Sequence, residues 1–155
     1  MALSKITNSG VDSSGLPSGS VLQVQSAFTN ATGNSSSTTF IASGLQVSIT
    51  PISTSNKIFV IVSGGTMFVP SGRFVYGTIY RDSTNLGISS TVGLMRNEAV
   101  GSNEYFPHAM QVLDTPATTS AITYEPYYRI DFASNFYWSY NTYGKLTITA
   151  MEIAG

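Results

Sequence analysis

The sequence predicts an all-β protein, an antiparallel, jelly-roll-like β-sandwich of about eight strands. Apolar and polar residues alternate along most segments, which is the pattern of a strand with one buried face. Polar turn sequences separate these segments at intervals of about 8–12 residues, as is typical of sandwiches and jelly rolls. No segment has the period of an amphipathic helix.

The composition limits the classes of partner. The chain has 155 residues, of which 10% are charged, and a net charge of −1 without a basic block. Because phosphate binding needs clustered Lys and Arg, we expect no nucleic-acid partner. A surface with so little charge is weakly protected against association, so we expect another protein to cover part of it. The chain has no cysteine, which excludes disulfides and thiolate metal sites.

The sequence shows no sign of export or membrane insertion. Met1–Ile6 lacks the apolar core of a signal peptide, and no apolar run reaches transmembrane length. We therefore expect synthesis in a cytoplasm, with any exterior location reached by assembly.

Residues 1–20 are predicted to be an N-terminal arm, and residues 21–155 the sandwich domain. The arm is rich in serine and glycine, so it cannot bury enough apolar surface to offset the entropy of ordering it. Two hypotheses follow. The arm folds back onto the domain, or it is a tether that docks on a partner through Leu3, Ile6 and Val11.

The first part of the domain reads as short strands joined by polar loops. In Val21–Phe28, Leu22, Val24 and Phe28 share a face with Ser26. After a polar loop and a short extended piece at Phe40–Ala42, Leu45–Thr50 alternates cleanly until Pro51 ends the strand.

Lys57–Ser63 breaks the alternation, because five consecutive residues are apolar. In a two-layer sandwich one face of a strand meets the opposite sheet and the other normally meets water. An apolar outer face therefore predicts a subunit interface, and the alternative is a central strand covered by its own loops. The candidate interface residues are Ile58, Phe59, Val60, Ile61 and Val62.

The middle of the chain contains the longest predicted loop. Gly64-Gly65 reads as a turn, and Arg73–Arg81 alternates as a strand. Ser89–Asn103 shows no period and is predicted to be a loop, of the kind that carries binding surfaces on sandwiches. Tyr105–Val112 returns as a strand.

The C-terminal third contains the longest alternating segment. From Ile122 to Phe132, one face carries apolar and aromatic residues, including Phe132 itself. Pro126 lacks an N–H, which predicts an edge strand or a bulge there. Trp138 alternates with Phe136 and Tyr140 and is predicted to be core, and Lys145–Ile153 forms the last strand.

Catalytic and metal-binding residues are scarce. Glu98 and Glu104 flank the long loop and are the one pair of carboxylates that we nominate for a glycosidase-like site. The alternative is two solvated loop acids. His108 is the sole histidine and is interpreted as structural. We expect no enzyme activity, no metal and no cofactor.

Aromatic residues are the remaining functional signal. Exposed rings can stack on sugars or anchor protein interfaces. Aromatic residues cluster in the C-terminal third, at Tyr127, Tyr137, Trp138, Tyr140 and Tyr143, with Tyr105 and Phe106 nearby in the sequence. Tyr127 and Tyr143 are the candidate glycan contacts. The alternative is that these rings belong to the core or to a subunit contact.

Five segments, taken in their order along the chain, resemble a group of virion structural proteins of tailed phages, particularly phages of aquatic bacteria. The segments are GSVLQVQ at Gly19–Gln25, STSNKIFVIVSG at Ser53–Gly64, YRDSTNLG at Tyr80–Gly87, LDTPATTSAITY at Leu113–Tyr124 and LTITAMEIAG at Leu146–Gly155. The start, MALSKITNSGV, resembles the attachment end of phage fibre and appendage proteins.

The resemblance implies a β-sandwich virion protein of the tail-fibre, appendage or decoration type that forms a homotrimer. It supplies no catalytic residues. The predicted function is a non-enzymatic virion surface protein, a capsid decoration or short appendage, attached to other virion proteins through the N-terminal arm. The alternative is a tail-fibre or tail-tip receptor-binding module that recognises a host surface glycan.

Overall fold

The computed structural model describes residues 16–140 and 143–155. Leu3, Ile6 and Val11 of the predicted arm lie outside this part of the chain. The described residues form twelve strands: β1 (Val21–Thr29), β2 (Gly33–Ser35), β3 (Ile41–Ala42), β4 (Val47–Ile49), β5 (Lys57–Val69), β6 (Phe74–Arg81), β7 (Thr84–Asn85), β8 (Met95–Glu98), β9 (Glu104–Asp114), β10 (Ile122–Ile130), β11 (Phe136–Ser139) and β12 (Leu146–Ile153). No helix capable of spanning a membrane occurs among them.

The strands form two antiparallel sheets. In sheet I, β5 pairs with β9 on one side, and on the other with β12 along its first half and with β11 near its end. The outer strands β1 and β2 pair with β12 and β11. In sheet II, β10 and β6 pair at the centre, β3 and β4 flank β10, and β7 and β8 flank β6. The all-β sandwich that the sequence predicts is confirmed.

The core lies between the sheets and consists of the inward-facing residue of each alternating pair. On β5 the inward residues are Ile58, Val60 and Val62, all fully buried. Trp138 is also buried, as predicted, and stacks on Tyr128 of sheet II with ring centroids 5.6 Å apart. Side chains from the two sheets thus interdigitate in one contiguous core.

The first difference from the sequence prediction concerns β5, which does not end at Ser63. Gly64 and Gly65 have φ of 79° and 67°, and the pairing with β9 shifts register between Gly64 and Thr66. The glycine pair is therefore a bulge within a thirteen-residue strand and not a turn. A Cβ at Gly64 would lie 2.3 Å from the carbonyl oxygen of Lys145, which excludes a side chain there.

Pro126 is a second difference, because β10 is an interior strand and pairs with β6 without a register shift. The carbonyl of Pro126 accepts a hydrogen bond from the Ser43 amide, in the gap between β3 and β4. The N and O of one residue point to the same side of an antiparallel strand. The missing N–H therefore faces the gap between β3 and β4, where β10 has no strand partner and no ladder hydrogen bond is lost.

Two further expectations about local structure were wrong. Phe132 follows the end of β10 and is exposed, and the Arg73 guanidinium carbon lies 4.8 Å from the centre of its ring. Part of the predicted loop Ser89–Asn103 forms β8, which pairs with β6. A four-residue strand is too short to establish a recognisable alternation in the sequence.

Candidate interaction surface

The two carboxylates nominated for catalysis each have a local partner. Glu98 forms an exposed ion pair with Arg96 at 3.1 Å. Glu104 accepts a hydrogen bond from the Val100 amide at 3.1 Å. No group of three or more potential metal ligands occurs in the described residues. Glu98 lies on β8 and Glu104 begins β9, so the two acids that the sequence predicts to flank one long loop each end or begin a strand.

Two buried carboxylates hold loops against the strands. Glu152 accepts hydrogen bonds from the Asn56 amide and the Ile52 backbone, both at 2.7 Å, and from Gln23. Glu125 accepts from the Gly44 backbone and the Gln46 amide, both at 2.6 Å. The oxygens of both buried carboxylates thus have hydrogen-bond donors. In return, the carboxylates stabilise the loops, whose amide groups would otherwise have no acceptor.

A third buried carboxylate, Asp114 of β9, joins the two sheets. Nη1 of Arg81 lies 2.9 Å and 2.8 Å from its two oxygens, and the hydroxyl of Tyr124 donates to it at 2.7 Å. Arg81 and Tyr124 both belong to sheet II. Burial, and then this hydrogen bond, raise the pKa of Tyr124, so the phenol remains a donor at any physiological pH.

His108 is buried on the inner side of β9, in agreement with the structural role expected for it. Its Nδ1 lies 3.1 Å from the carbonyl oxygen of Gly64. Since a carbonyl only accepts, Nδ1 carries the proton of the neutral ring. Its Nε2 is buried and has no hydrogen-bond partner among the described residues. Burial lowers the pKa of His108 to about 4, against the opposing effect of the Gly64 carbonyl.

This histidine should make the protein less stable in mild acid. Its pKa is lower in the folded than in the unfolded chain, so the unfolded chain binds more protons and stability falls as the pH falls from about 6.5 to about 4. The expected loss in the free energy of unfolding between pH 7 and pH 4 is about 3 kcal/mol. Urea unfolding of the wild type and of His108→Asn, whose amide can still donate to Gly64, measures how much His108 contributes to the loss of stability in acid. Equal pH dependence of the free energy of unfolding in the two proteins would contradict a contribution from His108.

In the part of the chain that the structure describes, the outer face of sheet I carries an apolar surface with charges only at its ends, where Lys57 begins β5 and the Lys145 ammonium lies 3.9 Å from the ring centroid of Phe28. Directly opposite residues on paired antiparallel strands share a face, so the pairing places Val24, Met151, Phe59 and Leu113 in one row across β1, β12, β5 and β9. Val24 is 53% exposed and Leu113 54%. The next row contains Ile61 between Thr149 and Gln111. We call these two rows, together with Phe28, the apolar face.

The candidate interface residues divide between the two sides of β5. Ile58, Val60 and Val62 point into the core, while Phe59 and Ile61 lie on the apolar face and are partly exposed. Ile61 also borders a groove of about 330 Å³ between β5 and β9. The predicted interface thus rests on Phe59 and Ile61, and it stays a prediction.

The outer face of sheet II differs in chemistry. Arg129 lies over the ring of Tyr76, with its guanidinium carbon 4.7 Å from the centroid, and donates to the carbonyls of Thr38 and Thr91. Loops on both sides are thereby drawn over this face. Its charges and its covering loops make it a weaker candidate for a broad protein interface than the apolar face of sheet I.

The two candidate glycan contacts lie on different sheets. Tyr127 is on sheet II and stacks on Tyr80 with ring centroids 4.0 Å apart. Tyr143 follows β11 and belongs to a cluster on sheet I that the sequence did not assemble. We call this cluster the tyrosine platform, and its members are Phe68, Tyr105, Tyr137, Tyr140 and Tyr143. The pKa of Tyr105 is raised, chiefly because its phenol hydrogen-bonds to the side chain of Tyr140.

The sequence does not nominate Phe68 as a site residue, and it places Tyr105 only near the other aromatic residues along the chain. Phe68 lies beyond Gly64-Gly65, which the sequence predicts to be a turn, so the sequence does not place Phe68 on β5. Tyr105 pairs directly with Phe68 only because the bulge sets the register of β5 and β9. Tyr105, Pro107 and Ala109 are two residues apart along β9 and therefore lie on the same, outer face. This spacing is the signal that could have placed Tyr105 there.

The chain matches no protein-family model, and no curated protein sequence matches it. Among solved structures it is similar to the D431N mutant VP2 protein of infectious bursal disease virus, from derived T=1 particles. The identity is 16% and the TM-score 0.43, over 86% of this chain and 32% of the VP2 chain. The chain thus spans about a third of the length of that protein. A similarity of this extent does not indicate a shared function.

Proposed function

We propose that this protein is a non-enzymatic structural component of a virus particle, in which three copies associate through the apolar face of sheet I. The observation that carries the proposal is the row of uncharged side chains across β1, β12, β5 and β9, in which Val24 and Leu113 are about half exposed and Met151 and Phe59 are partly buried. Exposed apolar patches of this kind mark protein interfaces on soluble domains. The five segments that resemble tailed-phage virion proteins support the assignment to a virion.

The low charge of the face supports self-association in particular. On β1, β5, β9 and β12, all of which the structure describes, the outward residues include Lys57 at one end and no acid. A second cation, Lys145, lies over Phe28 at the edge of the face. The centres of two or three copies can therefore meet without like-charge repulsion, and the apolar residues there supply the driving force. Charge depletion at the centre of a patch is the compositional sign of an interface core.

Within this function we propose a capsid decoration or short appendage that attaches to other virion proteins through its N-terminal residues. The backbones of Gly19 and Ser20 already bond to Ala154. The docking segment therefore lies upstream, and Leu3, Ile6 and Val11 remain its proposed apolar anchors. Three tethered copies would raise the effective concentration of each arm at the docking site.

Deleting residues 1–15 tests this attachment while leaving the contacts of Gly19 and Ser20 with Ala154 intact. We expect a folded protein with the subunit number of the wild type that no longer incorporates into particles. Cryo-electron microscopy of particles assembled with the full chain and with the truncated chain measures incorporation. Normal occupancy of the truncated protein would show that the sandwich itself makes the attachment, and absence of the full chain from particles would refute the virion function.

The second candidate function is a tail-fibre or tail-tip module that recognises a host glycan. The observation that favours it is the tyrosine platform, which offers exposed rings outside the apolar face. The two functions differ in location on the particle, so the same images distinguish them.

A further inference from the structure

The tyrosine platform is a compact set of rings around one central phenylalanine. The centroid of Phe68 lies 5.5 Å from Tyr105, 5.6 Å from Tyr137 and 5.5 Å from Tyr140. Tyr143 extends the set, with its centroid 6.0 Å from Tyr140. Tyr105 is 54% exposed and Tyr143 68%, so the rings at the two margins face solvent.

Two hydrogen bonds to Thr66 hold the backbone of the platform in place. The amide of Tyr140 donates to the Thr66 carbonyl at 2.9 Å, and the Thr66 hydroxyl donates to the Tyr143 carbonyl at 3.1 Å. Thr66 is on β5, next to the bulge, so Tyr140 and Tyr143 are each bonded to the sheet through their backbone. Rings held in this way lose little conformational freedom when a ligand stacks on them.

A polar side chain continues the row of rings. Tyr105, Phe68 and Tyr137 are directly paired across β9, β5 and β11, and Asn34 of β2 is paired opposite Tyr137. Asn34 is exposed and lies on the same face. The row thus presents aromatic surface, phenol hydroxyls and an amide that both donates and accepts hydrogen bonds.

We propose that the tyrosine platform binds a neutral polysaccharide. The C–H faces of its sugar rings would stack on Tyr105 and Tyr143, and its hydroxyls would bond to the phenols and Asn34. Apolar surface combined with a few directed polar groups is the composition of a small-ligand site. The apolar face lacks these polar groups, which suits it to protein contact instead.

The charge of the platform selects the class of sugar. Neither the five platform residues nor Asn34 is basic, so a carboxylated or sulfated sugar would lose hydration there without gaining a counter-charge. The site therefore fits neutral hexose polymers and disfavours anionic glycans. This proposal rests on the second candidate function, for which it names the class of sugar, and it does not depend on self-association.

Native gel electrophoresis through a soluble β-glucan, a galactomannan or hyaluronate tests the site. We expect retardation of the full chain by at least one neutral polymer and none by hyaluronate. Tyr105→Ala and Tyr143→Ala should each weaken that binding about tenfold, a loss comparable to removing one ring that stacks on a nucleic-acid base. Both side chains are exposed, so the fold should survive either change. Phe132→Ala, which removes an exposed ring that follows β10 of sheet II, is the matched control and should bind as the wild type does.

Three results would overturn the proposal. They are no retardation by any neutral polymer, equal binding by Tyr105→Ala and the wild type, or stronger binding of hyaluronate than of the neutral polymers. Light scattering on the same variants measures the number of subunits. It therefore distinguishes a failure of sugar binding from a failure of the proposed self-association. If Tyr105→Ala lowers the number of subunits and the wild type binds no sugar, the platform is a protein contact.

Discussion

A protein with Val60→Asp should fail to fold, whereas a protein with Ile61→Asp should fold and dissociate into monomers. Val60 is fully buried between the sheets, and an unpaired carboxylate there costs more than the stability of a typical domain can offset. Ile61 is the next residue on the same strand and lies on the apolar face. A charge there stays in water in the monomer but would be buried without a partner in an assembly.

Circular dichroism and light scattering of the two variants measure this difference. The adjacent positions share a strand and a local sequence, so each variant is the control for the other. The Ile61→Asp protein should give the β-sheet spectrum of the wild type at a lower mass. A folded Val60→Asp protein would contradict the inward orientation of that residue, and an Ile61→Asp protein of unchanged mass would contradict the interface.

Asp114→Ala should lower the free energy of unfolding by about 3–5 kcal/mol. The change leaves Arg81, of which 22% of the side chain is exposed, without its carboxylate partner, and it leaves the buried Tyr124 hydroxyl without an acceptor. Removing one partner of a buried pair costs more than the pair itself contributes, because the remaining charge keeps its desolvation penalty. The contact also joins β9 of sheet I to β6 and β10 of sheet II.

Urea unfolding of Asp114→Ala, Tyr124→Phe and Glu98→Ala separates these contributions. Tyr124→Phe removes one hydrogen bond to a charged group and should cost about 1.5–3 kcal/mol. Glu98→Ala breaks the exposed pair with Arg96 and should change stability by less than about 1 kcal/mol. A loss for Asp114→Ala as small as that for Glu98→Ala would show that the contact between the sheets is not important for stability.

The sequence was sufficient to predict the sandwich because strand alternation is a local property. The outward and inward residues of β9, β10 and β12 can be read from their spacing, and so can the burial of Trp138. The unusual feature of β5, apolar residues on both faces, was also visible. What the structure adds is which of them face outward, since the period alone does not distinguish Phe59 and Ile61 from their neighbours.

The tyrosine platform could not be predicted, because it depends on register between strands that are distant in the sequence. The bulge at Gly64 and Gly65 continues β5 toward Phe68 and pairs that residue with Tyr105. A glycine pair between two apolar runs is typical of a turn. The carbonyl that excludes a side chain at Gly64 belongs to Lys145, which immediately precedes β12 and is distant in the sequence. Only the assembled sheet identifies the pair as a bulge.

The mass of the wild-type protein in solution tests self-association through the apolar face most directly. The chain has a mass of 16.5 kDa. Multi-angle light scattering at micromolar concentration should give three times that value, and Ile61→Asp should return it to the mass of one chain. A wild-type protein that has the mass of a single chain throughout this range would contradict the proposed trimer.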